Sequence, residues 1–190
     1  MTMTQLASTV DVEAALGREL TPDEAARVDA ILDKASELFR IASGQQFTPG
    51  RSEVRLKVNG GRVFLRQAPA TEIHSVTDDS GQEVPYTWFK KWLTVPKVSH
   101  EFVVVDYSHG GDVPDLVRLT IADVARQILS IDPVAATGVS QASQTTGPFT
   151  DQLTYATWAQ GGATRLSPED LAVARSFIVR VPNVWVPSAN

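Results

Sequence analysis

Cysteine is absent from the 190 residues, which excludes disulfides, thiolate metal ligands and thiol redox chemistry and leaves the compartment open. Histidine is scarce: His74, His100 and His109 are the three in the chain, and no two stand at a helical or strand spacing suited to zinc. No apolar run approaches the ~20 residues that a membrane span needs, and Met1-Thr2-Met3-Thr4-Gln5 lacks the basic and apolar regions of a signal peptide. The expectation is a protein without membrane association, kept in the cytoplasm or in a particle assembled there. Positive charge is also in short supply. A net charge of -5 argues against a groove that grips phosphates, which takes clustered Lys and Arg. Asn59-Gly60-Gly61 and Gly161-Gly162 lack the lysine and helix start of a phosphate loop, so they read as turns and no cofactor is expected.

What is present is enough for a core, at 43% hydrophobic residues. The expected class is α+β: a small helical bundle around a central apolar helix, with an inserted antiparallel β-sheet, a long loop and an extended C-terminal arm. Residues 1–180 read as a single domain, with helices over 10–16, 22–43, 114–131 and 168–180, a β insertion over 53–107 and a long loop over 132–166. Residues 181–190 form the arm.

The reasons are local. Thr9 is read as the cap of the first helix and Gly17 as its stop. Thr21-Pro22-Asp23-Glu24 is a capping box with proline at the first helical position. Val28, Ile31, Leu32, Ala35, Leu38, Phe39 and Ala42 then recur at three- and four-residue steps until Gly44. Val54, Leu56 and Val58 alternate with Glu53, Arg55 and Lys57, and Asn59-Gly60-Gly61 leads to Val63-Phe64-Leu65, the pattern of a tight hairpin. Asp106-Tyr107-Ser108-His109-Gly110-Gly111-Asp112-Val113-Pro114 joins a β-branched strand to a helix in which Asp115, Arg118, Asp123, Arg126 and Ser130 form one narrow polar stripe. Such a helix needs cover on several sides. Residues 135–146 have no apolar period and read as a mobile loop, although Phe149, Leu153, Tyr155 and Trp158 are too apolar for a linker. Ser167-Pro168-Glu169-Asp170 starts the last helix, and Pro182 and Pro187 keep the arm extended.

Candidates for chemistry are few. Asp106, Ser108 and His109 are the residue types of a hydrolase triad, but neighbours in a strand point to alternate faces and cannot converge. Trp88-Phe89-Lys90-Lys91-Trp92 could stack nucleic acid or sit at a membrane surface; the reading favoured is a hairpin with its rings on the sheet and its lysines in water.

Four pieces, in order, resemble the head-to-tail connector (adaptor, or head completion) proteins of long-tailed double-stranded-DNA bacteriophages, particularly those of phages of actinobacteria. They are the capped acidic helix from Thr21 to Gly44, the junction from Tyr107 to Pro114, the segment Gly147-Pro148-Phe149-Thr150 to Tyr155, and Leu166-Ser167-Pro168-Glu169-Asp170-Leu171. The resemblance implies a structural virion protein at the neck, a homo-oligomeric ring of about twelve subunits joined head-to-tail below the portal protein. It further implies contact with tail or head-closure proteins, and a channel through which double-stranded DNA passes without sequence-specific binding. The family carries no catalytic residues. The rival reading is a tail-completion or other minor structural protein binding the tail end.

Within such a ring, charge asymmetry predicts that the acidic helices of one subunit, with Asp23 and Asp33, face Arg55, Lys57, Arg62 and Arg66 of the next. Val184, Trp185 and Val186 are expected to anchor the arm on the portal or an adjacent subunit. Phe149, Tyr155 and Trp158 are expected to meet the channel or a neighbouring subunit.

Overall fold

The computed structural model describes residues 4–96, 101–131, 141–146, 149–154 and 163–179, with only the backbone for the stretch between 141 and 154. The architecture is α+β. The chain divides into two compact units: Met1–Ala42 with Pro114–Ser176, and Ser43–Val113 with Phe177–Asn190.

In the first unit, α1 (Thr9–Leu16) is capped by Ser8 and not by Thr9. Ser8 and Asp11 form a reciprocal box, in which the Ser8 backbone N–H donates to Asp11 at 2.8 Å and the Asp11 N–H donates back to Ser8 Oγ. Gly17, at φ +71°, ends this helix as expected. α2 (Pro22–Ser43) starts at the expected box: the Glu24 carboxylate accepts from the Thr21 N–H at 2.8 Å, and Thr21 Oγ1 accepts from the Glu24 N–H. The α2 stripe of Val28, Ile31, Leu32, Ala35 and Phe39 is buried. The segment before α1 runs along α2, where buried Ser36 accepts the Leu6 N–H at 3.0 Å.

α3 (Asp115–Leu129) begins one residue later than expected. Pro114 has an extended ψ of 140° and stands just outside the helix, so its fixed φ aims the chain in without taking a helical turn. The helix buries Val117, Ile121, Ala122, Val124, Ala125, Ile128 and Leu129 but leaves Leu116 and Leu119 exposed, so its cover is narrower than the apolar composition suggests. α1 packs on α3, with Arg118 bonded to Asp11 and, at 2.9 Å, to Asp115.

The stretch expected as one long loop contains a hairpin. β7 (Gln141–Thr146) and β8 (Phe149–Thr154) pair antiparallel from Gln141↔Thr154 to Thr146↔Phe149. Alternation of apolar residues is missing there, yet threonine suits a strand, and Gly147-Pro148 in the sequence between them are turn formers. α4 (Pro168–Ser176) opens on a box between Ser167 and Asp170, with N–H donations of 3.0 and 3.1 Å, and ends four residues before the expected 180. Phe177, in the second unit, sets its ring edge-on to Phe47 at 5.3 Å.

The second unit is the β insertion. β1 (Gly50–Lys57), β6 (Phe102–His109) and β3 (Ala70–Thr77) form one antiparallel sheet in the order β1-β6-β3, while β2 (Arg62–Phe64), β5 (Trp92–Thr94) and β4 (Thr87–Phe89) form another in the order β2-β5-β4. The single sheet and the β1–β2 hairpin expected from sequence are therefore corrected. Asn59 and Arg62 do exchange N–H donations of 2.8 and 3.0 Å around Gly60 and Gly61, but the strands then part into different sheets. The long β-branched run of β6 offers Val54 and Leu56 better partners than three-residue β2 could. Leu56, Val76, Val103, Val105 and Tyr107 from one sheet and Val63, Leu65, Leu93 and Val95 from the other make one core. Each such side chain contributes roughly 1.5–3 kcal/mol on burial.

Candidate functional site

Pairing in register sorts the β1–β6 residues onto two faces, because residues directly opposite one another share a face. Gly50, Ser52, Val54 and Leu56 meet His109, Tyr107, Val105 and Val103 on the inner face. Arg51, Glu53, Arg55 and Lys57 meet Ser108, Asp106, Val104 and Phe102 on the outer one.

The outer face is a self-paired charged lattice. Glu53 stands opposite Asp106, a like-charge pair relieved by the diagonal Arg51, whose Nε donates to Asp106 Oδ1 at 2.8 Å and whose Nη2 donates to Oδ2. That guanidinium holds the Asp106 carboxyl below its ordinary pKa. Arg55 donates two 2.7 Å hydrogen bonds to Asp79 and lies 3.8 Å over the Phe102 ring. Lys57 pairs with Glu101 at 3.7 Å. Arg55 and Lys57, expected to meet the acidic helices of a neighbouring subunit, thus also pair with acids of their own subunit. Exposed Arg62 and Arg66 form no salt bridge among the described residues, nor do exposed Asp23 and Asp33 on α2.

The would-be triad is split between faces. Asp106 and Ser108 lie outside, with Ser108 Oγ 2.7 Å from His74 Nε2, while His109 is buried inside, 2.8 Å from Ser52 Oγ. Burial lowers the pKa of His109, and its ring centroid stands 5.7 Å from that of Tyr107. The Tyr107 hydroxyl accepts the Gln67 N–H at 3.0 Å, and burial raises its pKa. These contacts read as satisfied polar groups closing one end of a core. Among the described residues no group of three or more His, Asp or Glu could hold a metal ion, and no helix is long and apolar enough to cross a membrane.

The third feature is aromatic. Phe64, Trp92 and Phe89 stand opposite one another across β2, β5 and β4, so the three rings form a row on the face away from buried Val63 and Leu93. Phe89 stacks on Trp92 at 5.8 Å and 20°, Phe64 lies 6.4 Å from Trp92, and the Arg62 guanidinium is 5.9 Å from the Trp92 ring. Lys90 and Lys91 form the exposed turn, Lys90 at φ +49°. The expected hairpin is present with its lysines in water, but Trp88 and Phe89 are also exposed.

Sequence reasoning missed the partners: Asp79, Glu101 and Asp106 for the bases, and Ser52 for His109. Nothing local marks them, since strand pairing brings them together. Tyr155, Trp158, Val184, Trp185, Val186 and His100 lie outside the described residues, as does the side chain of Phe149.

No family model and no curated protein matches the chain. Among solved structures it is similar to a chain in "Neck of empty GTA particle computed with C6 symmetry", with a TM-score of 0.46, 13% identity and coverage of 96% of this chain and 98% of that one. It is also similar to a chain in "Neck of native GTA particle computed with C12 symmetry", with a TM-score of 0.44, 13% identity and the same 96% and 98% coverage. At these TM-scores the likeness assigns neither fold nor function.

Proposed function

We propose that the chain is a non-catalytic structural protein of the virion neck. It forms an adaptor ring of about twelve copies between portal and tail. The ring joins head to tail and leaves a channel for viral DNA, and it is assembled in the host cytoplasm. The observation that carries this reading is the order of the four connector-like motifs along the chain. Each stands where the backbone changes element: Thr21 and Ser167 open α2 and α4, Tyr107–Pro114 links β6 to α3, and Phe149 opens β8. Motifs of that kind fix a scaffold, whereas catalytic motifs have to converge on one cavity. The test is to mix the purified chain with purified portal and, separately, with tail tube and to sediment each mixture. The reading predicts co-sedimentation with portal. Binding to tail tube alone would favour a tail-completion protein, and binding to neither would end the neck reading.

A further inference from the structure

The β2-β5-β4 sheet, with its aromatic row, is basic and carries no acidic residue of its own. From Gly60 to Ala70 and from Tyr86 to Pro96 the sequence holds Arg62, Arg66, Lys90 and Lys91 and neither Asp nor Glu. On that row Phe89 is 48% exposed and stacks on Trp92, so an apolar ring faces solvent beside the lysines. The other unit has the complementary character. Its two segments hold eight Lys or Arg against fourteen Asp or Glu, and the β unit holds nine against eight.

On the acidic unit, α1 packs on α3, and both helices carry charged and apolar side chains that face solvent. Arg118 serves both Asp11 and Asp115, so the three groups keep one negative charge, and the Asp115 side chain is 84% exposed. Apolar side chains on the same two helices face solvent: Val10 at 70%, Leu116 at 53% and Leu119 at 56% exposure. Exposed leucines beside unbalanced negative charge match an exposed ring beside unbalanced positive charge.

We propose that these two surfaces meet between copies: the Phe89–Trp92 face with Lys90 and Lys91 of one copy docks on the Val10–Leu116–Leu119 surface around Asp115 of a second. The contact uses different patches on the two partners, so it is heterologous and can continue from copy to copy until a ring closes. It deepens the ring reading proposed above and rests on it. A second copy is favoured over nucleic acid or an anionic lipid surface because the chain as a whole carries -5, which opposes polyanions and leaves the acidic helical unit as the matching surface.

The absence of native cysteine permits a direct trap. Lys91→Cys and Leu119→Cys chains are prepared separately, mixed and oxidised, with Gln82→Cys on the exposed turn as the collision control. The contact predicts a disulfide-linked dimer in the Lys91/Leu119 mixture well above either chain alone and above either mixed with the control. The double variant is predicted to give a ladder of higher oligomers. Charge reversal by K90E in the Lys91→Cys chain should lower the mixed cross-link about tenfold, and D115K in the Leu119→Cys chain should recover it. Circular dichroism melting of each variant shows that it is folded. A mixed yield no higher than the control at the highest soluble concentration overturns the contact, as does cross-linking confined to Lys91 with Lys91. So does single-stranded DNA binding that K90E weakens while the cross-link is kept. A strong mixed cross-link with no portal binding would keep the contact and end the neck reading; portal binding without the cross-link does the reverse.

Discussion

Gly110 sits against the backbone of Thr48 so closely that a Cβ built on it would lie 2.1 Å from the Thr48 carbonyl oxygen. Its φ of +87° is itself a conformation that side chains avoid. Neighbouring Gly111 has open space around its Cβ position and no positive φ. Gly110→Ala should therefore destabilise the protein by about 3 kcal/mol or more, whereas Gly111→Ala should change stability by less than about 1 kcal/mol. Urea unfolding of the two variants checks this, and equal effects would remove the assigned role of the Thr48 contact.

The inner end of β6 gives a second prediction. Buried His109 has Ser52 Oγ at 2.8 Å, and Gly50 faces the ring so closely that an added Cβ would be 3.1 Å from Cε1. Ser52→Ala leaves a buried ring nitrogen without that partner and should cost about 1–3 kcal/mol. Because burial depresses the His109 pKa, the folded state binds fewer protons than the unfolded one below the ordinary value of 6.5. Its stabilising contribution is present above pH 6.5 and is lost as the pH falls through the depressed value. Melting temperature followed between pH 8 and 5 by calorimetry, to within about a degree, should show a decline that His109→Gln reduces.

Acid acts on a separate site at the start of α2. Arg18 donates to both oxygens of Glu24 at 2.8 and 2.7 Å, and the Thr21 N–H adds a third donation, so the Glu24 pKa falls from 4.5 to about 2. A depressed carboxylate stabilises the fold above its unfolded pKa and loses that contribution as the pH falls through the folded one. The window is pH 4.5 down to about 2. Glu24→Gln should lower the melting temperature at neutral pH and flatten its dependence across that window. A curve parallel to that of the unaltered protein would contradict the assignment.

Much of the fold was legible because its signals are local. The boxes at Thr21–Glu24 and Ser167–Asp170 announce α2 and α4 in four residues each, and Gly17 and Gly44 stop helices at positive φ. Strands were legible by alternation, but their partners were not. Asn59-Gly60-Gly61 does turn the chain, yet the competition for Val54 and Leu56 is decided by β6, which lies nearly fifty residues further on. The same distance hid the site. Arg51, Arg55 and Lys57 are visible as bases, whereas the carboxylates that neutralise them arrive through pairing and through the Asp78–Gln82 turn. Ser8 and Thr9 are adjacent hydroxyl residues that could each cap α1, and only the backbone selects Ser8. The β7–β8 hairpin escaped because polar strands carry no hydrophobic period.

The neck role proposed for this chain is visible in the assembled particle itself. Electron microscopy of the assembled particle at a resolution that traces side chains tests it most directly. A ring of this chain is expected below the portal, with Lys91 of each copy close to Leu119 of the next around the channel. Finding the chain at the far end of the tail, or a portal–tail junction complete without it, would overturn the proposed role.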